Sequence, residues 1–465
     1  MFEEEVLKIF AFNEKGFGVS KHKNAKVIAP LTLIDEEVLL SLTKKRKGII
    51  KGSILEIKQP SKDRILPKCS HFDLCGGCIF QNLKYDAQLA FKENFVKNTF
   101  QNFLKNPKVQ FFKILPSNEL FEYRNKMEFS FSENRKQTSY LGLMMRGKRK
   151  FVFNVERCFL SSQWFSKVLE NIKLWRDKFA LSSINQMTFE GFLRTLTIRE
   201  AKNTSDKMVV LQIDDSKILS DEEILEFIQS ITDVTGKENI SIYLNKTFVK
   251  KGSPTKNILQ KIFGKDEILE ILNIKLDNKN FELKFNIGPL SFFQPNTKQA
   301  EIFYSLAITY LDLNELKDQI VLDLYSGTGT LGMILSKFSK KVIGIELNED
   351  ASQKALKNIS LNKIDNFDFF QGDVSKILEN LLQDKNFKAD TIVVDPPRMG
   401  LDQKALENIL KISPKNILYI SCNVKTQQEN IQILSENGYV LKFLHPIDQF
   451  PNTYHIENIA LLKKT

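Results

Sequence analysis

Cysteine is scarce in this chain. Five thiols serve 465 residues, four of them before residue 159 and one, Cys422, far downstream. So uneven a set excludes a disulfide framework and points to a reducing compartment and another use for the thiols. Histidine is scarcer: His22, His71, His445 and His455 are all there is, so few positions offer an imidazole base. No apolar run reaches the length of a membrane span, so no membrane partner is expected. The opening residues Met1-Phe2-Glu3-Glu4-Glu5 are acidic and lack the basic and apolar regions of a signal peptide, so a cytoplasmic protein is expected. Acid is the minority charge: 67 Lys and Arg stand against 56 Asp and Glu, a net +11 that suits a polyanionic partner. The excess is modest for the length, and a lysine-rich composition alone would produce it. At 42% hydrophobic and 26% charged residues, the chain can bury sizeable cores, and its length suits three domains.

From Val6 to Lys58 short apolar runs alternate with glycine turns such as Lys15-Gly16-Phe17-Gly18, the pattern of a small all-β barrel. Its Lys44-Lys45-Arg46-Lys47 cluster is a candidate phosphate contact or a solvated loop. Helical spacing is predicted over Tyr85 to Phe103. From Phe111 to about Lys275 strands and helices mix without a clean repeat, which predicts an antiparallel α+β domain. Arg146-Gly147-Lys148-Arg149-Lys150 is its candidate contact with a nucleic-acid backbone. Beyond about Phe281 apolar strand runs alternate with helical ones: Ile320–Leu324, Leu331–Phe338, Lys341–Glu346, Ala351–Leu361, Thr391–Asp395, Gln403–Ile412, Asn416–Ser421 and Thr426–Glu436. Continuously apolar strands between helices predict a doubly wound, Rossmann-like α/β domain. The expected domains are 1–60, 61–280 and 281–465.

Gly327-Thr328-Gly329-Thr330-Leu331-Gly332 satisfies G-x-G-x-x-G between a strand and a helix, and Glu346 closes the next strand where a carboxylate can take ribose hydroxyls. On that evidence NAD is a fair reading, since the motif alone is weak. Asp323 ends the first strand, where it can face a methionine ammonium group or simply cap the turn. Gln371-Gly372-Asp373 falls at the expected end of the third strand. Acidic strand ends suit a sulfonium better than a pyrophosphate, which favours S-adenosylmethionine.

Cys422, in Ser421-Cys422-Asn423, ends one apolar run, and Asp395-Pro396-Pro397-Arg398 ends another. A buried lone Cys is more often a small core residue than a nucleophile, but a thiol at a strand end beside a cofactor crevice fits covalent transfer of a methyl group to a pyrimidine. Uracil C5 is too poor a nucleophile to take a methyl directly; a thiolate adding to C6 makes it an enolate. A base must then remove the C5 proton. Glu457, in the polar turn Phe450-Pro451-Asn452-Thr453-Tyr454-His455-Ile456-Glu457, is the candidate, and an ordinary surface acid is the plainer reading.

Ser291-Phe292-Phe293-Gln294-Pro295-Asn296, the Asp323–Thr330 turn, Asp395-Pro396-Pro397-Arg398, Ser421-Cys422-Asn423 and Phe450–Glu457 together resemble the RNA uridine C5-methyltransferases, in that family's order. The resemblance implies Cys422 as nucleophile and Glu457 as base. It places Asp395 and Gln294 in the uracil and cofactor pocket and Phe292 near the target base. Tyr325, Gly327, Glu346 and Asp373 would line the cofactor, with Thr330 where many members carry asparagine.

Cys69, Cys75, Cys78 and Cys158 remain. Four thiolates fit zinc or an iron–sulfur cluster; the chain lacks the paired C-x-x-C knuckles usual for zinc, and three close ligands plus a remote one suit a 4Fe-4S cube. The spacing also resembles the branch of the same family with such a cluster and an N-terminal TRAM barrel. That branch implies RNA as partner, 23S ribosomal RNA before tRNA, and a monomer. Two rivals from other classes are an NAD-dependent iron–sulfur oxidoreductase and a non-catalytic RNA-binding factor.

Overall fold

The computed structural model describes residues 3–134, 136–148, 150–248, 256–276 and 279–465. Its C-terminal part is built on β1 (Ile320–Leu324), β2 (Lys341–Glu346), β3 (Phe367–Gln371), β4 (Thr391–Val394), β5 (Asn416–Ser421), β6 (Tyr439–Ile447) and β7 (Glu457–Lys464). They lie in the order β3-β2-β1-β4-β5-β7-β6, with the short strand Gln110–Phe111 added beyond β6. The first five are mutually parallel, whereas β7 runs antiparallel between β5 and β6. Helices cover both faces, so β4 and β5 are buried throughout, and truncating a residue such as Leu418 to Ala would cost about 2–5 kcal/mol. Strand order reverses at β1, whose neighbours are β2 and β4; a crevice opens at the carboxyl ends of the strands on either side of such a switch point.

The helices start earlier than the apolar pattern predicts, because polar caps set their first turns. Asn348 accepts from the Ala351 N–H and begins Glu349–Leu361; Asn423 accepts from the Lys425 N–H and begins Val424–Glu436. Gln403–Ile412 has the predicted bounds, and Thr330–Ser336 follows the glycine turn. Helix Tyr85–Thr99 stops short of the expected Phe103. It packs beside β6 and Val424–Glu436 rather than within the central part, and Gln110–Phe111 joins the same layer.

The central sheet has seven strands, antiparallel except where Lys207–Asp214 pairs in parallel with Ile240–Phe248. A parallel pair needs a crossover, which helix Asp221–Thr235 provides, opened by a capping box between Ser220 and Glu223. A hairpin, Ile268–Leu276 with Lys279–Ile287, packs on helix Thr297–Thr309; the boundary expected at 280/281 lies inside it. Six strands between Glu3 and Gln59 form one sheet around Ile9, Val27, Val38 and Leu40. That sheet curls until Phe10 N–H reaches Val19 O at 3.1 Å.

Candidate active site

Strand register brings the candidate reacting groups together. Ser421 of β5 pairs with Asn458 of β7, so the next residue on β5, Cys422, and the preceding one on β7, Glu457, meet at the same sheet edge. Tyr419 pairs with Val394, which delivers Asp395 beside them from the end of β4. Two loops are latched at this edge: Asn423 Nδ2 donates to Arg398 O at 2.7 Å, and Thr426 Oγ1 donates to the same oxygen at 3.3 Å.

The site is short of positive charge. Burial, then Glu457 and Asp395, push the Cys422 thiol up to about 11 against the opposing Arg398 guanidinium. Burial and then Asp395 hold the Glu457 carboxyl well above its ordinary range, with Arg398 again opposing. Asp395 is raised to about 7 by burial and by Asp323. Such a cluster keeps protons near neutral pH and titrates as a unit. His455 Nδ1 lies 3.4 Å from the Arg398 guanidinium, and burial followed by the Arg398 charge lowers its imidazole to about 4, so it stays neutral.

The segment that carries Glu457 is fastened from outside the sheet. Asp448 forms a fully buried ion pair with Lys92, 2.5 Å, and accepts from Tyr85 at 2.9 Å. Asn452, with φ of 64°, accepts backbone N–H bonds from Ile79 and Phe80 at 2.9 and 3.2 Å. The Ser291–Asn296 loop is held by Arg199, which donates to Ser291 O at 2.6 Å, and by Asn125, which donates to Gln294 O at 2.8 Å. Gln294 itself reaches Tyr304, a buried hydroxyl raised by burial and then by Asp395, Glu457 and Asp323.

The crevice beside β1 is a cradle of backbone and acid. Tyr325, Gly327 and Gly329 have φ of 61°, 56° and 80°, and a Cβ on Gly327 would meet nothing within 4 Å. Gly332 must be glycine, since a Cβ there would stand 2.2 Å from the Phe367 ring. Glu346 accepts from Gly327 N–H at 2.9 Å and Asn348 N–H at 2.7 Å, leaving lone pairs for a diol. Asp323 accepts from Gly332 N–H at 2.9 Å and from Ser326 Oγ, yet burial raises it to about 7. Asp373 caps the helix after β3, and Gly372 N–H donates to Glu346 O at 2.8 Å, so it borders the same crevice. Thr330 is buried in the first turn of its helix. This donor set suits a nucleoside with a cationic amino-acid tail.

Phe292 stands apart: 64% exposed, it lies on the rim of a second cavity, of about 480 Å³. Cys69, Cys75, Cys78 and Cys158 all line that cavity. Among the described residues no group of three or more His, Cys, Asp or Glu side chains is arranged to hold a metal ion. Burial raises all four thiols, Cys78 to about 12. Their surroundings still fit a thiolate-held group: Gln81 Nε2 donates to Cys78 Sγ at 3.2 Å, Gly77 N–H to Cys75 Sγ at 3.4 Å, and the Arg124 and Arg146 charges face the sulfurs. Arg146 is thereby a correction to the expected RNA contact: it donates to Cys78 O at 2.6 Å and Phe72 O at 2.9 Å, bracing the cysteine loop. Arg149 of that basic run lies outside the described residues.

Sequence reasoning gave no role to Tyr304, Arg398 or His455. Arg398 was visible as the residue closing Asp-Pro-Pro-Arg, but the other two reach the site only through the tertiary fold.

A family model described as tRNA (uracil-5-)-methyltransferase matches residues 84–465. An uncharacterised RNA methyltransferase of Protochlamydia amoebophila (strain UWE25) is 39% identical over 93% of this chain and 99% of its own. One from Clostridium tetani (strain Massachusetts / E88) is 34% identical over 99% of this chain and 98% of its own. The crystal structure of Pyrococcus abyssi tRNA (uracil-54, C5)-methyltransferase in complex with S-adenosyl-L-homocysteine aligns with a TM-score of 0.75 and 25% identity, over 98% of this chain and 99% of that one. The fold is thus the Rossmann-like one expected. No helix among the described residues is long and apolar enough to cross a membrane.

Proposed function

This chain belongs to the tRNA (uracil-5-)-methyltransferase family and is an S-adenosylmethionine-dependent RNA methyltransferase, and from that premise we propose how its own residues work. Cys422 is the nucleophile and Glu457 the base. The carrying observation is the convergence of Cys422, Glu457 and Asp395 at three adjacent strand ends, in a pocket where burial and mutual repulsion make the carboxylates stronger bases than usual. The thiol gives its proton to the ionised form of Asp395, which leaves the Glu457 carboxylate free, and sulfur bonds to C6 of a uridine extruded from its stack. The C5=C6 pair shifts onto the ring as an enolate, and C5 takes the methyl group as the donor's methyl–sulfur bond breaks with its electron pair going to sulfur. Glu457 removes the C5 proton; the electron pair left behind reforms C5=C6 and expels the sulfur. Arg398 offsets negative charge on the thiolate.

Bound in the crevice, S-adenosylmethionine supplies an electrophilic methyl group. Glu346 would hold its ribose, Asp323 its ammonium group, Tyr325, Gly327, Thr330 and Asp373 its remaining edges, with Gln294 and Asp395 between cofactor and uracil and Phe292 toward the RNA. The four cysteines would hold a 4Fe-4S cluster with a structural role, and the N-terminal TRAM-like barrel (1–60) and central region (61–280) would present RNA to the catalytic region (281–465) of a monomer. The preferred substrate is 23S ribosomal RNA, on the pairing of barrel and cysteine quartet. The likeness to a tRNA methyltransferase supports tRNA as the alternative. Mapping 5-methyluridine in both RNAs from a strain lacking the protein decides between them. RNA carrying 5-fluorouridine should trap the sulfur adduct; turnover without trapping would refute the covalent route.

A further inference from the structure

A turn of the N-terminal sheet overhangs the Cys422 cavity. The cavity, about 370 Å³, is lined by Glu14 and Lys15 from that turn and by Arg398, Cys422, Lys425 and His455 from the catalytic part. The turn is stiff. Asn13 Oδ1 accepts from Lys15 N–H at 2.9 Å and Phe17 N–H at 3.0 Å, and Gly16 N–H donates to Asn13 O at 2.9 Å. It is also pressed home: Gly16 has φ of +73°, and a Cβ there would stand 2.4 Å from the Phe80 ring. Phe80 in turn packs edge-on to Phe12 and Phe91, so the overhang belongs to the fold rather than to a loose loop.

Glu14 forms an ion pair with Lys425 across 411 residues of chain. Both side chains are about half exposed. Lys15 lines the cavity with them and adds its charge to that of Lys425 beside the same carboxylate. Two lysines from two parts of the molecule therefore flank one carboxylate at the mouth of the nucleophile's cavity. Without that carboxylate they would repel one another, and with it they form an anion site with its own internal occupant. Exposed ion pairs are weak, so an incoming anion of equal charge can take the carboxylate's place.

We propose that Lys15 and Lys425 bind a phosphodiester of the RNA strand flanking the target nucleotide, and that Glu14 occupies this subsite until RNA displaces it. The subsite rests on the RNA methyltransferase reading and assigns residues to its substrate contact. Its consequence is selective: a polyanion that merely drifts past must first displace Glu14, whereas a strand whose uridine enters the cavity brings its phosphate to the lysines directly.

The test is the affinity of the full-length protein for a short single-stranded uridine-containing RNA, measured against salt, with S-adenosylhomocysteine affinity as the control for folding. Glu14→Gln should tighten RNA binding about twofold to fivefold, the range set by the strength of exposed ion pairs. Lys425→Gln and Lys15→Gln should each weaken it, and each should reduce the slope of log affinity on log salt by about 0.7. In Lys425→Gln the effect of Glu14→Gln should shrink. If Glu14→Gln weakens binding or leaves it unchanged, Glu14 is a brace between the two parts and the proposal falls. If the wild-type protein binds RNA with these dependences yet transfers no methyl group, the methyltransferase reading falls and the anion site stands. If it methylates RNA while its affinity ignores all three substitutions, the site alone falls.

Discussion

Asp448 and Glu457 are both buried acids of one short segment, and the fold treats them in opposite ways. Asp448 is given a buried ammonium, Lys92 at 2.5 Å, and the Tyr85 hydroxyl at 2.9 Å. Glu36 in the N-terminal sheet is treated alike, with the Arg64 guanidinium at 2.8 Å and the Leu33 N–H at 2.8 Å. Glu457 has another acid, Asp395, for a neighbour, and Arg398 offsets only part of the repulsion. Paired acids serve as fasteners; Glu457 and Asp395, raised by burial and by like charge, bind protons closer to neutral pH and can exchange them. The molecule therefore separates anchoring from chemistry by where it puts its cations.

The strongest way to break this contrast is to remove one group of each kind. Cys422→Ala should abolish methyl transfer, by more than about 10³-fold, while leaving S-adenosylhomocysteine affinity and melting temperature nearly unchanged. Glu457→Gln should slow turnover by about 10²–10⁴-fold. It should also accumulate a protein–RNA adduct, visible as a retarded band on denaturing gels, because the C5 proton then has no base. An adduct that forms and resolves at the wild-type rate in Glu457→Gln would assign the base elsewhere.

Lys92→Met should do the reverse. It leaves Asp448 buried without its cation, and breaking such a pair costs about 3–5 kcal/mol. Denaturant unfolding should show that loss, and activity per folded molecule should fall much less than in Cys422→Ala. The double change Lys92→Met with Asp448→Leu should recover part of the stability. If Lys92→Met unfolds no more easily than the wild type, the pair does not fasten the segment.

Much of the catalytic half was legible because its strands are apolar throughout and end in polar motifs. Ile320–Leu324, Lys341–Glu346 and Asn416–Ser421 fall at their expected bounds, since continuous burial leaves the local pattern unopposed. Cys422 and Asp395 could be paired in advance because both follow such runs. Tyr304 could not: on helix Thr297–Thr309 it looks like any aromatic of an apolar face, and only the fold turns it toward Asp395 and Glu457. Lys92 and Tyr85 were hidden for the same reason, being more than 350 residues from Asp448 in the chain. Arg146 misled because a basic run reads as exposed, whereas its guanidinium is spent on Phe72 O and Cys78 O.

The mildest and most informative test concerns Asp323, whose carboxyl is raised from 3.8 to about 7, chiefly by burial and further by Glu346, against the opposing bonds from Ser326 and Gly332. The folded state keeps a proton there that the unfolded chain releases near pH 4. Stability from this group is therefore full below about pH 4, declines as pH rises toward about 7, and is constant beyond, a total of at most about 4 kcal/mol. Cofactor binding has the opposite sign. An ammonium group is held by the ionised carboxylate, so S-adenosylhomocysteine affinity should rise up to about tenfold per pH unit below about 7 and then level off. Asp323→Asn should flatten this profile in calorimetric titrations and raise the melting temperature of the ligand-free protein near pH 8. If the variant keeps the wild-type slope, the titrating group is another acid of the cluster, and Asp323 joins Asp448 as a fastener rather than Glu457 as a working group.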